Sequence, residues 1–345
     1  MFSLSQATPA RRVLLGAGAL AELRAEVDRA DLGRVVLVTS ATLSASSGLV
    51  KATEAMLPGR HQATFTGIGQ HTPERAVQQL QDLLEQVAAD GVISLGGGSV
   101  IDGCKAALHG IGTTGRTHIA VPTTLSGAEF TPSAGVTDSE SHRKLGLRDP
   151  DAAPRVVLLD PEVTLATPER LWLSTGIRAL DHAVETIWAP ERDPLASWLS
   201  MEAIRRLRRS LPDCRDRPEE VEARQSAQVA AWWAALGLAG TTMGPSHQLG
   251  RILGASFEIP HGITSCVFLP ATIRHLNATD PALTAPLAEP FGTRSGAEVG
   301  DVCQALIARL GLPVTLTQAG LSALDLPRFL AMVPAEWHPI VHACV

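Results

Sequence analysis

Five short runs in the first half of the chain carry aliphatic and β-branched residues with little polar alternation: Arg34 to Thr39, Gln62 to Phe65, Gly91 to Leu95, His118 to Val121 and Arg155 to Leu159. Strands of this kind are covered on both faces, and the segments between them have helical spacing, which predicts a mostly parallel, doubly wound α/β sheet. After Asp160-Pro161 the two-residue period fades and helical periodicity takes over. The predicted organisation is an α/β domain over residues 1–160 and an all-α domain over 161–345. Within the second, helices are expected over 170–188, 194–209, 221–238, 245–255 and 295–310. The Arg- and Glu-rich stretch from Arg205 to Arg224 reads as a solvated helix pair and its connection, and Lys144 and Arg148 as part of a solvated loop.

A chain of 345 residues exceeds what one core usually organises, so two domains with a substrate cleft between them are expected. No run of about 18 uncharged apolar residues occurs, which excludes a helical membrane span. The first residues lack a basic stretch leading into an apolar segment and a small-residue cleavage site, so mature sequence and a cytoplasmic location are expected. The net charge of −6 is dispersed, with no basic stripe to follow a phosphate backbone, and no nucleic-acid partner is expected. Five widely spaced cysteines without a C-x-x-C pair read as reduced and structural. The chain has no tyrosine, which excludes any mechanism with a tyrosine proton donor.

Chemistry enters with Gly96-Gly97-Gly98-Ser99, which follows the third apolar run and opens a helix through Asp102 and Lys105. Glycines there let the backbone approach a pyrophosphate, and a helix N-terminus offers it unpaired N–H groups. The next strand leads into Pro122-Thr123-Thr124-Leu125-Ser126, which brings hydroxyls to the same carboxyl edge, where open α/β sheets bind ligands. A dinucleotide site is the expectation. In the helical half, Gly176 to Glu185 places Arg178, His182 and Glu185 on one helix face. His247 and Arg251 repeat the i, i+4 spacing, and His261 follows at a turn. Three histidines and a carboxylate suit zinc or iron, which polarises a carbonyl or alkoxide. Asp181, about 100° around the helix from His182, reads as a surface or supporting acid. His338 and His342 read as packing or solvated residues of the tail.

The succession GGGSVID, PTTLSGAEFTP, DPEVTLATP, GIRALDHAVE and SHQLGRILGASFEIPHG resembles the iron-containing alcohol dehydrogenase superfamily over nearly the whole chain. His71-Thr72-Pro73 and the Thr39-Ser40 tail of the first long strand are similar to its maleylacetate reductase branch. The resemblance implies a dinucleotide domain, a helical domain, NADH or NADPH, and a homodimer. It places Gly96, Gly97, Gly98, Ser99 and the nearby Asp102 at the pyrophosphate, and Thr123, Thr124 and Leu125 beside adenine and ribose. It gives His182, His247 and His261 the three histidine positions of the metal-binding members. Those members carry an Asp four residues before the first histidine, where this chain has Arg178, and a catalytic histidine ten residues before the last, where it has Arg251.

A permanently charged guanidinium opposes a divalent cation and pairs with carboxylates. The leading expectation is therefore metal-independent reduction, by NADH or NADPH, of a small anionic keto or enone substrate, as maleylacetate is reduced to 3-oxoadipate. His182, His247 or His261 would supply the proton, and Arg178 and Arg251 would hold carboxylates. Two alternatives stand beside it: an alcohol or aldehyde dehydrogenase with zinc or iron on the three histidines, and a scaffold repurposed for anion binding or a non-redox step. No acidic residue stands at Thr39-Ser40-Ala41-Thr42 to repel a ribose 2′-phosphate, so NADPH is not excluded.

Overall fold

The computed structural model describes residues 10–138, 144–190, 193–238 and 241–345. Their contacts separate at Pro168/Glu169 into two compact units.

The first unit contains β1 (Arg12–Leu15), α1 (Leu23–Arg29), β2 (Val35–Val38), α2 (Ala41–Ser46), α3 (Leu49–Ala55), β3 (His61–Phe65), α4 (Glu74–Gln86), β4 (Gly91–Gly96) and α5 (Gly98–Ile111). It continues through β5 (Thr117–Pro122), β6 (Ser133–Thr137), β7 (Lys144–Arg148) and β8 (Val156–Leu159). Six parallel strands form one sheet in the order β1-β8-β5-β4-β2-β3. Alternation along each strand divides the core in two. Val35, Leu37, Ile93, Leu95, Ile119 and Val121 pack with Leu23, Val27, Leu43 and Val50 of α1, α2 and α3 on one face. Val36, Val38 and Val92 pack with Val77, Leu80, Val100 and Cys104 of α4 and α5 on the other. The chain runs outward from β2 to β3, then returns past β2 to β4 and builds in the opposite direction. The β2/β4 boundary is thus the topological switch point of the sheet, where such folds bind ligands beyond the carboxyl ends of the strands.

Three strands are additions to the sequence reading. β1 is a four-residue edge strand with exposed ends, too short for a periodic signal. β6 and β7 form a separate antiparallel hairpin, so Lys144 and Arg148 belong to a strand and not to a solvated loop. Residues 161–168 remain with the sheet, because Val163 enters its core and Thr167 Oγ1 donates to Thr123 O at 2.7 Å. The first unit therefore ends eight residues beyond the expected boundary.

The second unit is helical: α6 (Glu169–Trp188), α7 (Pro194–Asp216), α8 (Val221–Leu238), α9 (Pro245–Phe257) and α10 (His261–Thr279) precede a set of shorter helices that includes Val299–Arg309. α6 is central, with every residue from Ala179 to Trp188 buried. Small residues let its neighbours approach. A Cβ on Gly262 would lie 2.8 Å from the Ser174 backbone of α6, and one on Gly250 would lie 2.6 Å from Thr264 Oγ1, so α9 and α10 are drawn tightly together. The Arg205 to Arg224 stretch is less solvated than its charge suggests: Arg224 is buried, donates to Pro218 O and covers the Trp172 ring. His338 packs in the tail against the Leu330 and Val333 carbonyls. All five cysteines are buried and unbridged.

Candidate active site

At the switch point, Gly96 closes β4, Gly97 caps α5 in an extended conformation, and Gly98 and Ser99 form the first helical positions. The N–H groups of this first turn precede the first intrahelical bonds, so a 14-residue helix directs its positive end outward. Close approach of the neighbouring loop demands two of the glycines. A Cβ on Gly97 would lie 2.9 Å from Thr124 Cγ2, and one on Gly98 would lie 2.9 Å from Ser126 Oγ. Thr123 N donates to Gly96 O at 3.0 Å and ties the two loops together. Thr39, Thr123, Thr124 and Leu125 are buried, and the hydroxyls of Thr39 and Thr124 have no partner among the described residues. Buried orphan hydroxyls beside an uncapped helix N-terminus are what a nucleotide with its phosphates would satisfy, so this edge fits the dinucleotide. Ser40 is already used as the cap of α2, accepting from Leu43 N.

The supports of these loops were not legible as such. Asp102 is turned toward the hairpin: Oδ2 accepts from Gly135 N and Oδ1 lies 2.8 Å from Lys105 Nζ. Lys105 is fully buried and donates to the carbonyls of Ala128, Thr131 and Ser133, which clamps the chain after β5. Glu129 is buried nearby, and its burial pushes the carboxyl up to about 7. His71 and Thr72 both have positive φ, 62° and 54°, an uncommon conformation for non-glycine residues. The turn is held by Thr72 Oγ1 donating to Ser99 O and by Thr137 N donating to Thr72 O.

In the helical unit, α6 carries Arg178, Asp181, His182 and Glu185, α9 carries Ser246, His247 and Arg251, and α10 carries His261 and Ser265. Glu185 caps α9 from outside, accepting from Gly244 N at 2.8 Å and from His247 N at 3.1 Å, which places His247 on the first turn of that helix. His247 Nδ1 then lies 2.7 Å from Glu185 Oε2 and 3.4 Å from Asp181 Oδ2. Of the two expectations for Asp181, surface or supporting acid, burial removes the first: it is fully buried, and its Oδ2 accepts from Ser246 Oγ at 2.9 Å and from Ser265 Oγ at 2.7 Å. The helix turn that separates Asp181 from His182 points it into the packing between α6, α9 and α10. Arg178 Nη1 donates to Ser265 Oγ at 3.0 Å and lies 3.7 Å from Asp181 Oδ2. Arg251 is exposed within the unit.

The His182 and His247 rings stack with centroids 4.8 Å apart, yet they differ in charge preference. Burial lowers His182 well below the usual imidazole range, and His247 and Arg178 lower it further. Burial and Arg178 also oppose a proton on His247, but Asp181 and Glu185 together outweigh them and raise it. Burial alone would raise the Asp181 carboxyl; His247, Arg178 and the Ser265 hydroxyl reverse this and hold it low. Asp181 Oδ1, His182 Nδ1 and both His247 ring nitrogens are buried and make no hydrogen bond among the described residues, His247 Nδ1 having only its ion-pair approach to the two carboxylates. Among the described residues the one group with three ligating atoms within 4.8 Å of one another is Asp181, Glu185 and His247, not His182, His247 and His261. His261 begins α10, against Gly254. The sequence reading placed Glu185 on the candidate face with Arg178 and His182 but assigned neither Glu185 nor Asp181 a role in the site. The available signal was two carboxylates one turn apart on a helix with no polar face there.

The glycine turn at the switch point and the buried histidine–carboxylate cluster agree with an oxidoreductase that depends on a dinucleotide, the class to which the similarities to known proteins lead. Residues 10–161 match the family described as iron-containing alcohol dehydrogenase, and residues 172–336 match the Fe-containing alcohol dehydrogenase family, C-terminal. The chain belongs to the iron-containing alcohol dehydrogenase family, in its maleylacetate reductase-like branch, and is an NAD(P)-dependent oxidoreductase. It is 33% identical over 335 residues to a maleylacetate reductase of Rhizobium sp., covering 96% of this chain and 92% of that protein. A maleylacetate reductase of Pseudomonas sp. is 32% identical over 329 residues, covering 95% and 90%. The crystal structure of maleylacetate reductase from Agrobacterium tumefaciens superposes with a TM-score of 0.85 at 32% identity, covering 98% of this chain and 96% of that one.

Proposed function

We propose that this protein reduces a small carboxylated keto or enone compound of the maleylacetate type with NADH or NADPH, without a bound metal. The cluster of Arg178, Asp181, Glu185 and His247 carries this reading. Its two carboxylates are balanced by a guanidinium and by an imidazole whose proton they favour. With Arg178 and the proton that the carboxylates favour on His247 the cluster is already balanced, so a divalent ion would have to displace that proton and stand beside a guanidinium that repels it by about twice the roughly 4 kcal/mol of two unit charges 4 Å apart at an effective dielectric of about 20. The donor set therefore supports a site that does not fit the family's metal.

Gly97, Gly98, Ser99, Thr39 and Thr124 would hold the dinucleotide, which supplies a hydride when bound. His247 then serves as proton donor, because Asp181 and Glu185 face Nδ1 and leave Nε2 without a hydrogen-bond partner among the described residues. Arg251 is exposed, and a substrate carboxylate is the natural partner of a forked guanidinium. Arg178 spends one amino group on Ser265 and Asp181, so its contribution to substrate is secondary. With no carboxylate at the end of β2, a 2′-phosphate meets no repulsion there, and NADPH is accepted beside NADH. A homodimer and a cytoplasmic location belong to the same proposal, on the family resemblance.

The test is loss of NAD(P)H absorbance with maleylacetate and related keto acids, using protein freed of metal by a chelator. Turnover that survives the chelator is expected, and cofactor binding without turnover of any of these compounds would sink the reading. One observation favours a second reading, a metal-dependent alcohol or aldehyde dehydrogenase: Asp181, Glu185 and His247 come within ligating distance of one another. Activity that disappears with the chelator and returns with zinc or iron would select it.

A further inference from the structure

We infer that Arg178 is the resident cation of the Asp181–Glu185–His247 cluster and keeps closed a site that these three side chains would otherwise give to a divalent metal ion. The inference rests on the metal-free reading above and explains what enforces it. Asp181 and Glu185 stand one turn apart on α6, and His247 meets both from the first turn of α9; the three residues are buried and their ligating atoms lie within 4.8 Å of one another. Imidazole and carboxylate donors suit zinc, cobalt and iron. Capacity to ligate remains, because Asp181 Oδ1 and His247 Nδ1, the ring nitrogen that faces both carboxylates, are buried and make no hydrogen bond among the described residues.

The charges that face this cluster are few. α6 supplies Arg178 and the neutral-favouring His182, while α9 supplies His247 itself and, farther out, Arg251, which acts on Arg178. α10 supplies the Ser265 hydroxyl, which relays Arg178 to Asp181: Nη1 donates to Ser265 Oγ, and Ser265 Oγ donates to Asp181 Oδ2; Cys266 of the same helix and Cys303 also face Asp181, and burial keeps both thiols neutral. Two buried carboxylates and one imidazole need a further positive charge, and Arg178 provides it from within the chain. Replacing Arg178 by a neutral side chain leaves that requirement to a metal ion.

The experiment uses the full chain, stripped of metal by a chelator that is then removed, and titrated with cobalt(II) chloride. Wild type and Arg178→Lys are expected to take up no stoichiometric cobalt and to show no cobalt-dependent change in melting temperature. Arg178→Leu and Arg178→Gln are expected to bind about one cobalt per chain, with visible bands of a nitrogen- and oxygen-ligated ion and a melting temperature that rises with cobalt concentration. Adding His247→Ala to either neutral variant is expected to abolish the uptake. If a neutral variant folds poorly without metal, recovery of its melting transition by cobalt supports the inference, and absence of recovery in both overturns it.

Stoichiometric cobalt on the wild type overturns both this inference and the metal-free reading. Equal, negligible uptake by wild type and both folded neutral variants overturns this inference alone, as does uptake that survives His247→Ala. Failure of keto acid turnover bears only on the proposed function.

Discussion

Each unit buries a charged cluster, and the two are built differently. In the sheet unit, the Lys105 ammonium is satisfied by three backbone carbonyls and Asp102, and Asp102 in turn accepts from a backbone N–H. A cation spent on main-chain groups fastens chain segments; here it fastens the loop after β5 beside the glycine turn. In the helical unit, Arg178, Asp181, Glu185, His247, Ser246 and Ser265 meet mainly through side chains, and Asp181 Oδ1 and His247 Nε2 are left over. Saturated backbone partners mark support. Buried, directed and unsatisfied side-chain atoms mark the place where a reacting group is served.

This contrast can be broken most severely at His247. His247→Gln keeps a polar side chain but removes the transferable proton, and kcat is expected to fall by roughly 10²- to 10⁴-fold. The NAD(P)H dissociation constant should stay put. A kcat within a few-fold of wild type would remove His247 from the chemistry.

Lys105→Met tests the other cluster. Removing the ammonium leaves buried carbonyls and a carboxylate unmatched, so urea unfolding should show a loss of about 3–5 kcal/mol. Weaker dinucleotide binding by fluorescence titration should accompany it. Stability and nucleotide affinity both unchanged would mean that the clamp is dispensable.

Arg251→Met sharpens the division of labour between the arginines. A charge-assisted hydrogen bond is worth about 1.5–3 kcal/mol, so KM for a carboxylated substrate should rise roughly 10- to 100-fold with little change in kcat. An effect on kcat without one on KM would reassign Arg251.

The smallest net effect on the wild type concerns pH, because two opposed groups of the sheet unit offset each other. His118 is buried, donating from Nδ1 toward Ala152 O and accepting at Nε2 from Ser94 Oγ, and its burial pushes the imidazole down from 6.5 to about 3. Between these values the unfolded chain binds a proton that the folded chain does not, so His118 makes stability rise with pH by about 1.4 kcal/mol per unit. Glu129 is raised from 4.5 to about 7, so the folded chain binds the extra proton and stability falls with pH over that interval at the same slope. From about pH 4.5 to 6.5 the two oppose each other. Urea titrations of His118→Gln should expose the falling limb and those of Glu129→Gln the rising one. Parallel profiles for wild type and both variants would refute the linkage.

Much of the sheet unit was legible because its signals are local. A strand buried on both faces announces itself in a few residues, as Val35 to Val38 and Gly91 to Gly96 do, and a glycine turn between strand and helix has a short, readable grammar. The hairpin of β6 and β7 was hidden because its residues are mixed and half exposed. The helical site was only partly legible. Arg178, His182 and His247 stand out as residue types, whereas Asp181 was left between surface and supporting acid because nothing within its own helix says what packs against it.

The sequence alone determined the α/β-then-α order of the chain, the glycine turn, and the presence of arginines where the metal-binding members of the family carry Asp and His. The tertiary structure decided what Arg178 touches and that Arg251 is exposed. Only when Gly250 and Gly262 let α9 and α10 close on neighbouring helix surfaces does Asp181 meet Ser246, Ser265, His247 and Arg178. Charge depends on distance and burial, and neither is written in residue spacing across 84 positions of chain between Asp181 and Ser265.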